Sequence, residues 1–157
     1  MLFINLKKEI EINPLILMGS EHKHLIDYVH ESAKEDYENL ASKYWPGALT
    51  IVIPASEEQT AILTSNDHTL GLRIPNSNEA KSLMKETGPL LTSSANISGF
   101  KGSITAEGIA LDFPSINILG PIPWGKSSGK ASTIIFWKNM GNWKLIREGE
   151  VIVRELY

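Results

Sequence analysis

Short apolar, β-branched runs alternate along most of this chain with stretches of helical periodicity, and its C-terminal part is rich in strands. That order points to an α/β domain on an open, twisted, mixed sheet. Pro14–Gly19 is a continuous apolar run of the kind that makes a strand buried on both faces. Ser20 is placed to cap a helix over about 21–30, with Leu25, Ile26 and Val29 on one side. A second helix is expected over 33–45, where Tyr37, Leu40, Ala41 and Tyr44 recur at helical spacing and Pro46-Gly47 ends it. Residues 48–55 read as a strand, and 56–68 as a polar loop with one helical turn around Thr60–Leu63. Strand 69–75, helix 76–88 with a Leu83-Met84 stripe and a glycine stop, and strand 89–92 follow. Thr105 caps a helix over 106–112. Further strands are expected near 116–119, 132–137, 143–147 and 150–154, with turns at Gly125, Gly129 and Asn139–Asn142.

The 157 residues suit a single domain, 1–157, that buries roughly 70% of its unfolded surface. No repeat, low-complexity tract or linker divides them. Cysteine is absent, which removes thiolate chemistry and suits a reducing cytoplasm. No apolar run approaches the ~20 residues that span a bilayer. Charges directly after the short apolar start are not those of a signal peptide. The net charge of −3 excludes a uniformly basic nucleic-acid binder. Residues 1–100 carry 8 basic and 13 acidic side chains, residues 101–157 carry 7 and 5. A basic face on the C-terminal side is one reading, and scattered solvated charge is the plainer one.

Chemistry is suggested most by Leu90-Leu91-Thr92-Ser93-Ser94-Ala95-Asn96-Ile97-Ser98-Gly99. A buried strand ending in small hydroxyl residues presents N–H groups and Oγ atoms at a sheet edge, where open α/β sheets bind ligands and where phosphate oxygens find a nest. The same composition also fits a plain Ser/Asn turn. Arg73 ends an apolar strand and Arg147 ends another, and each needs a carboxylate, a phosphate or water. Ser132-Thr133 opens a strand, with hydroxyls that face a site or cap the strand. The four histidines read as surface residues, and the Asp36/Glu38 and Glu57/Glu58 pairs as solvated charges. Tyr37, Tyr44 and Trp45 read as core or groove residues.

Five segments, in order, resemble the YrdC-like family. Lys43–Thr50 is similar to its W-P-G-P-L-T stop, and Leu70–Pro75 to its V-x-V-R-x-P strand. Leu91–Gly99 resembles T-S-A-N-x-S-G, Ala131–Ile135 resembles S-T-[IV]-[IV], and Ile146–Gly149 resembles I-R-x-G. The resemblance implies an open α/β fold with a concave, positively charged groove. It also implies threonylcarbamoyl-AMP synthesis from L-threonine, bicarbonate and ATP, with pyrophosphate released, in threonylcarbamoyladenosine modification of tRNA. ATP enters with Mg²⁺ as a substrate, and no tightly bound cofactor or protein metal site is implied. By family position Arg73 and Ser132 hold threonine, and Asn13, Thr69, Thr92, Ser94, Ser103 and Arg147 lie along the ATP. Lys7, Ser94 and Asn96 fall on catalytic positions.

Two departures modify that expectation. The family's opening P-T-[DE]-T-x-[YF]-G-L segment has no counterpart here, so the domain reads as N-terminally shortened. In Lys7–Leu15, which resembles K-x-R-P-x-x-[KN]-P-L, Glu9 replaces the arginine. A carboxylate there reverses the sign of a phosphate contact, and the expected outcome is slow or absent catalysis. The alternative function is a non-catalytic nucleotide- or double-stranded-RNA-binding module on the same fold. RNA and tRNA-modification proteins are the further partners the resemblance implies, and no membrane is among them.

Overall fold

A computed structural model describes residues 16–58, 68–97, 100, 102–118 and 128–156. The chain divides into two compact units: Pro14–Thr92 with Lys130–Tyr157, and Met1–Asn13 with Ser93–Gly129. The expected turn at Thr60–Leu63 and the turn at Gly125 lie outside the described residues.

The larger unit is built on a mixed sheet of six strands among the described residues: β1 (Ile16–Met18), β2 (Leu49–Pro54), β3 (Thr69–Arg73), β4 (Leu90–Thr92), β5 (Thr133–Asn139) and β6 (Asn142–Arg147). Their order is β4-β1-β3-β2-β5-β6. β1/β3 and β2/β5 are parallel, and β1/β4, β2/β3 and β5/β6 are antiparallel. The α/β class and the open mixed sheet expected from the sequence are both found.

Register decides which side chains share a face. Leu17 pairs with Leu72 and Leu91, Ile51 with Leu72, and Leu49 and Ile51 with Thr133 and Ile135. Strand side chains alternate, so these lie on one face together with Ile53 and Leu70. They are buried, apart from the half-buried Leu91. The helix α1 (Lys34–Tyr44) contributes Tyr37, Leu40 and Ala41 to the same core. Tyr37 meets Trp45 edge to face at 5.6 Å, and burial pushes its phenol pKa well up. The Tyr37 hydroxyl donates to the His22 carbonyl and Trp45 Nε1 to that of Leu49, both at 2.7 Å, so neither polar tip is stranded. The helix α2 (Asn78–Thr87) starts on Ser77, whose Oγ accepts from the Ala80 N–H, and ends at Gly88, where φ is +79°.

Several expectations are corrected. No helix spans 21–30; two 3₁₀ turns, His22–His24 and Ile26–Tyr28, take its place, and the residue before the first is Glu21, not Ser20. Tertiary pairing overrides the helical pattern there. Val29 is extended and bridges Ala55, and the His30 N–H donates to the Pro54 carbonyl at 2.9 Å. Residues 150–154 are not a strand either. Thr133 Oγ1 donates to the Val151 carbonyl at 2.6 Å and accepts its N–H at 3.1 Å. That side chain satisfies groups a ladder would otherwise use, and a 3₁₀ turn, Arg154–Leu156, follows. Asp36 is not simply solvated: its Oδ2 accepts from Trp137 Nε1 at 2.6 Å and from the Gly141 N–H at 2.8 Å, fastening the β5–β6 hairpin to α1.

In the smaller unit, Thr105 accepts from the Gly108 N–H at 3.1 Å and caps α3 (Ala106–Asp112), as the sequence suggests. Residues 116–118 are not a strand, because the Ile116 N–H closes a turn onto the Phe113 carbonyl at 3.1 Å. Among the described residues no helix is long and apolar enough to cross a membrane.

Candidate functional site: two anchored guanidiniums on one sheet face

The opposite face of the sheet is chemically different. Ile16 pairs with Gly71 and with Thr92, Met18 with Arg73, Val52 with Gly71, Pro54 with Thr69, and Ile134 with Thr50 and Arg147. Thr50, Thr69, Arg73, Thr92 and Arg147 therefore share a face with Ile16, Met18, Val52 and Ile134. Those four apolar residues are only half-buried. One further step of the β2/β3 register sets Thr50 opposite Arg73. Arg73, Thr50, Ser132 and Arg147 thus gather at one end of the face, and Thr69 and Thr92 stand towards the other. The four residue steps from Thr69 to Arg73 span roughly 13 Å.

The motifs recognised in the sequence interlock here. The Gly47 N–H donates to the Ile74 carbonyl at 2.9 Å, and Arg73 Nε donates to the Gly47 carbonyl at 3.0 Å. A Cβ at Gly47 would collide with the Tyr44 carbonyl oxygen, so the close turn requires glycine. Arg147 forks onto the Ser132 carbonyl through Nε at 3.0 Å and Nη2 at 2.9 Å, and Nη2 also reaches Ser132 Oγ at 3.0 Å. A Cβ at Gly149 would enter the Ser132–Thr133 peptide. Arg73 is half-buried, and burial lowers its pKa, with Glu150 favouring and Arg147 opposing its charge. A guanidinium nevertheless stays protonated. Neither arginine forms an ion pair with a described residue. Two held cations on one face, with terminal N–H groups of Arg73 bonded to no described residue, make a receptor for carboxylate or phosphate oxygens.

The remaining sequence candidates are placed as follows. Thr92 Oγ1 donates to the Ile16 carbonyl at 2.9 Å, and Thr69 opens β3 half-buried. In the smaller unit Ser94 is exposed, and Asn96 Nδ2 braces its loop by donating to the Ile97 and Phe100 carbonyls at 3.2 and 3.1 Å. Ser103 Oγ contacts the Thr105 N–H and carbonyl at 3.4 Å. Lys7, Glu9 and Asn13 lie outside the described residues. Among the described residues no group of three or more His, Asp or Glu is placed to hold a metal ion. Sequence reasoning passed over Thr50 and Glu150. The signal for Thr50 was a single hydroxyl inside the apolar strand Leu49–Pro54; for Glu150 there was none, because its neighbours are set by the chain's return past Ala131, where its N–H donates at 3.0 Å.

The Sua5_yciO_yrdC family model, described as telomere recombination, matches residues 3–149. A threonylcarbamoyl-AMP synthase of Idiomarina loihiensis is 29% identical over 112 residues, covering 70% of this chain and 60% of the relative. One from Pyrococcus abyssi is 34% identical, covering 64% of this chain and 30% of the relative. This chain therefore matches less than two thirds of the length of either relative. The crystal structure of P. abyssi Sua5 complexed with L-threonine superposes with a TM-score of 0.75 at 33% identity, over 87% of this chain and 40% of that one. With most of its length matched, the chain belongs to the Sua5/YciO/YrdC family.

Proposed function

We propose that the chain acts as an L-threonylcarbamoyladenylate synthase-type protein in tRNA threonylcarbamoyladenosine modification in the cytoplasm. L-threonine, bicarbonate and ATP give threonylcarbamoyl-AMP, pyrophosphate and water, with magnesium entering as part of the ATP substrate. The observation that carries this reading is the anchored Arg73/Arg147 pair beside the buried Ser132 hydroxyl. Every substrate is an anion or bears a carboxylate. The amine of threonine joins the bicarbonate carbon, water leaves, and the carbamate oxygen displaces pyrophosphate from the α-phosphorus. That chemistry needs positioning and charge compensation more than a protein nucleophile. In this reading Arg73 and Ser132 take the threonine carboxylate, and Arg147, Thr69, Thr92, Asn13, Ser94 and Ser103 serve the nucleotide. Lys7, Ser94 and Asn96 assist at the reacting phosphate. The names of the curated relatives and the threonine in the P. abyssi complex support the assignment.

The test is pyrophosphate release. The expected result is release that requires threonine, bicarbonate and ATP together, at a slow rate because Glu9 stands where the family pattern has an arginine. Release that ignores threonine or bicarbonate, or its complete absence in a protein that also fails to bind ATP, would overturn the proposal.

A further inference from the structure

Three of the recognised motifs end on one hydroxyl. Ser132 Oγ lies 3.0 Å from Arg147 Nη2 and 2.9 Å from Thr50 Oγ1, with Thr50 from the W-P-G-A-L-T segment and Arg147 from I-R-E-G. The directions of these bonds follow from donor counting. A guanidinium has no acceptor, so Arg147 donates and occupies one of the two Ser132 lone pairs. Between the two hydroxyls only one proton can lie on the line. If Ser132 donated it, the proton of Thr50 would be stranded: Thr50 is 1% exposed, and no other described group is within hydrogen-bond reach of its Oγ1. An unsatisfied buried donor is the costly arrangement. If Thr50 donates, it is satisfied, and the proton left over belongs to Ser132. Ser132 is the less buried of the two, at 5%, and stands at the end of the face where Arg73 and Arg147 gather. Receiving two hydrogen bonds, one of them charged, also makes its O–H a better donor.

We infer that Thr50 is a positioning residue that fixes the polarity of Ser132, so that Ser132 offers ligands a proton donor and no free lone pair. The site then selects, at that point, an oxygen that accepts, such as a carboxylate, carbamate or phosphate oxygen. A ligand presenting an ammonium or hydroxyl proton there is rejected. The bond polarity stands on the structure alone. Its consequence for L-threonine rests on the proposed function.

Two measurements separate these parts. The first needs no ligand and compares melting temperatures of Thr50→Val, Ser132→Ala and the double variant. Thr50→Val keeps the shape and leaves Ser132 held by Arg147, so a small loss is expected. Ser132→Ala strands the Thr50 proton, so a larger loss is expected, partly recovered when Thr50→Val is added. A greater loss in Thr50→Val than in Ser132→Ala, or no recovery in the double variant, would overturn the polarity. The second is calorimetric titration of L-threonine. Thr50→Val should weaken binding about 5- to 10-fold, Thr50→Ser should restore it, and Thr50→Val should add little to Ser132→Ala. Additive losses, or no loss in Thr50→Val, would overturn the recognition role. A wild-type protein that binds no L-threonine would overturn that role and the proposed threonine site together, with the melting comparison still deciding the polarity.

Discussion

At the scale of single residues, the account turns on how a cation is held without being neutralised. Arg73 gives Nε to the Gly47 carbonyl, and its terminal nitrogens bond no described residue. A hydrogen bond to a charged group contributes about 1.5–3 kcal/mol. Arg73→Ala should therefore weaken an anionic ligand roughly 10- to 100-fold, as read by calorimetry. Arg73→Lys should recover only part of this, because an ammonium cannot use the Gly47 carbonyl and the ligand in a fixed fork. Glu155 offers a pH test away from the site. Partial burial raises its pKa, but hydrogen bonds from Lys43 and the Tyr44 hydroxyl, each at 2.7 Å, outweigh this and hold it below its ordinary value of 4.5. A depressed carboxyl stabilises the fold above its unfolded pKa and loses that contribution as pH falls through the native value. Hydrogen-exchange protection across residues 153–156, taken relative to the unstructured amide at the same pH, should be high at pH 6 and fall below about pH 4.5, ahead of the β2–β3 core. Uniform loss of protection in both regions would contradict it.

At the scale of elements, motif residues act as joints between segments far apart in sequence. Asp36 on α1 fastens the β5–β6 hairpin through two hydrogen bonds. Asp36→Ala should lower stability by about 1–3 kcal/mol, because it leaves the half-buried Trp137 indole N–H without its acceptor. Asp36→Asn, which keeps an oxygen acceptor, should cost less. Denaturant midpoints compare them. Gly149→Ala pushes a Cβ into the Ser132–Thr133 peptide, and a loss of about 3 kcal/mol or more is expected, together with weaker ligand binding, since the return past Ser132 is what orients Arg147. A Gly149→Ala protein as stable as wild type would mean that the chain's return past Ser132 does not need this close approach.

At the scale of the whole molecule, what was legible in the sequence was whatever depended on local pattern. Strand positions β2, β3, β4 and β6, the glycine stop of α2 and the Thr105 cap of α3 follow from alternation, β-branching and local stop and cap signals, and they were found within a few residues of expectation. What failed depended on partners the local pattern does not reveal. Leu25 and Val29 recur at helical spacing, yet Val29 is drawn out of a helix by pairing with Ala55. Val151 sits in a strand-like run, yet the Thr133 hydroxyl claims its backbone. The site shows the same division. Arg73 and Arg147 stood out as charges closing apolar strands, but Thr50 acquires its part only because β2 lies between β3 and β5 and sets it beside Ser132.

The most direct test of the central claim, that the two-arginine face is the substrate site, is titration of L-threonine and of Mg·ATP into the wild-type protein and into Arg73→Ala and Arg147→Ala by calorimetry. The account predicts that wild type binds both ligands, that Arg73→Ala loses threonine affinity at least 10-fold, and that Arg147→Ala loses mainly ATP affinity. Binding of both ligands unchanged in both variants, or no binding by the wild type at millimolar concentrations, would contradict it.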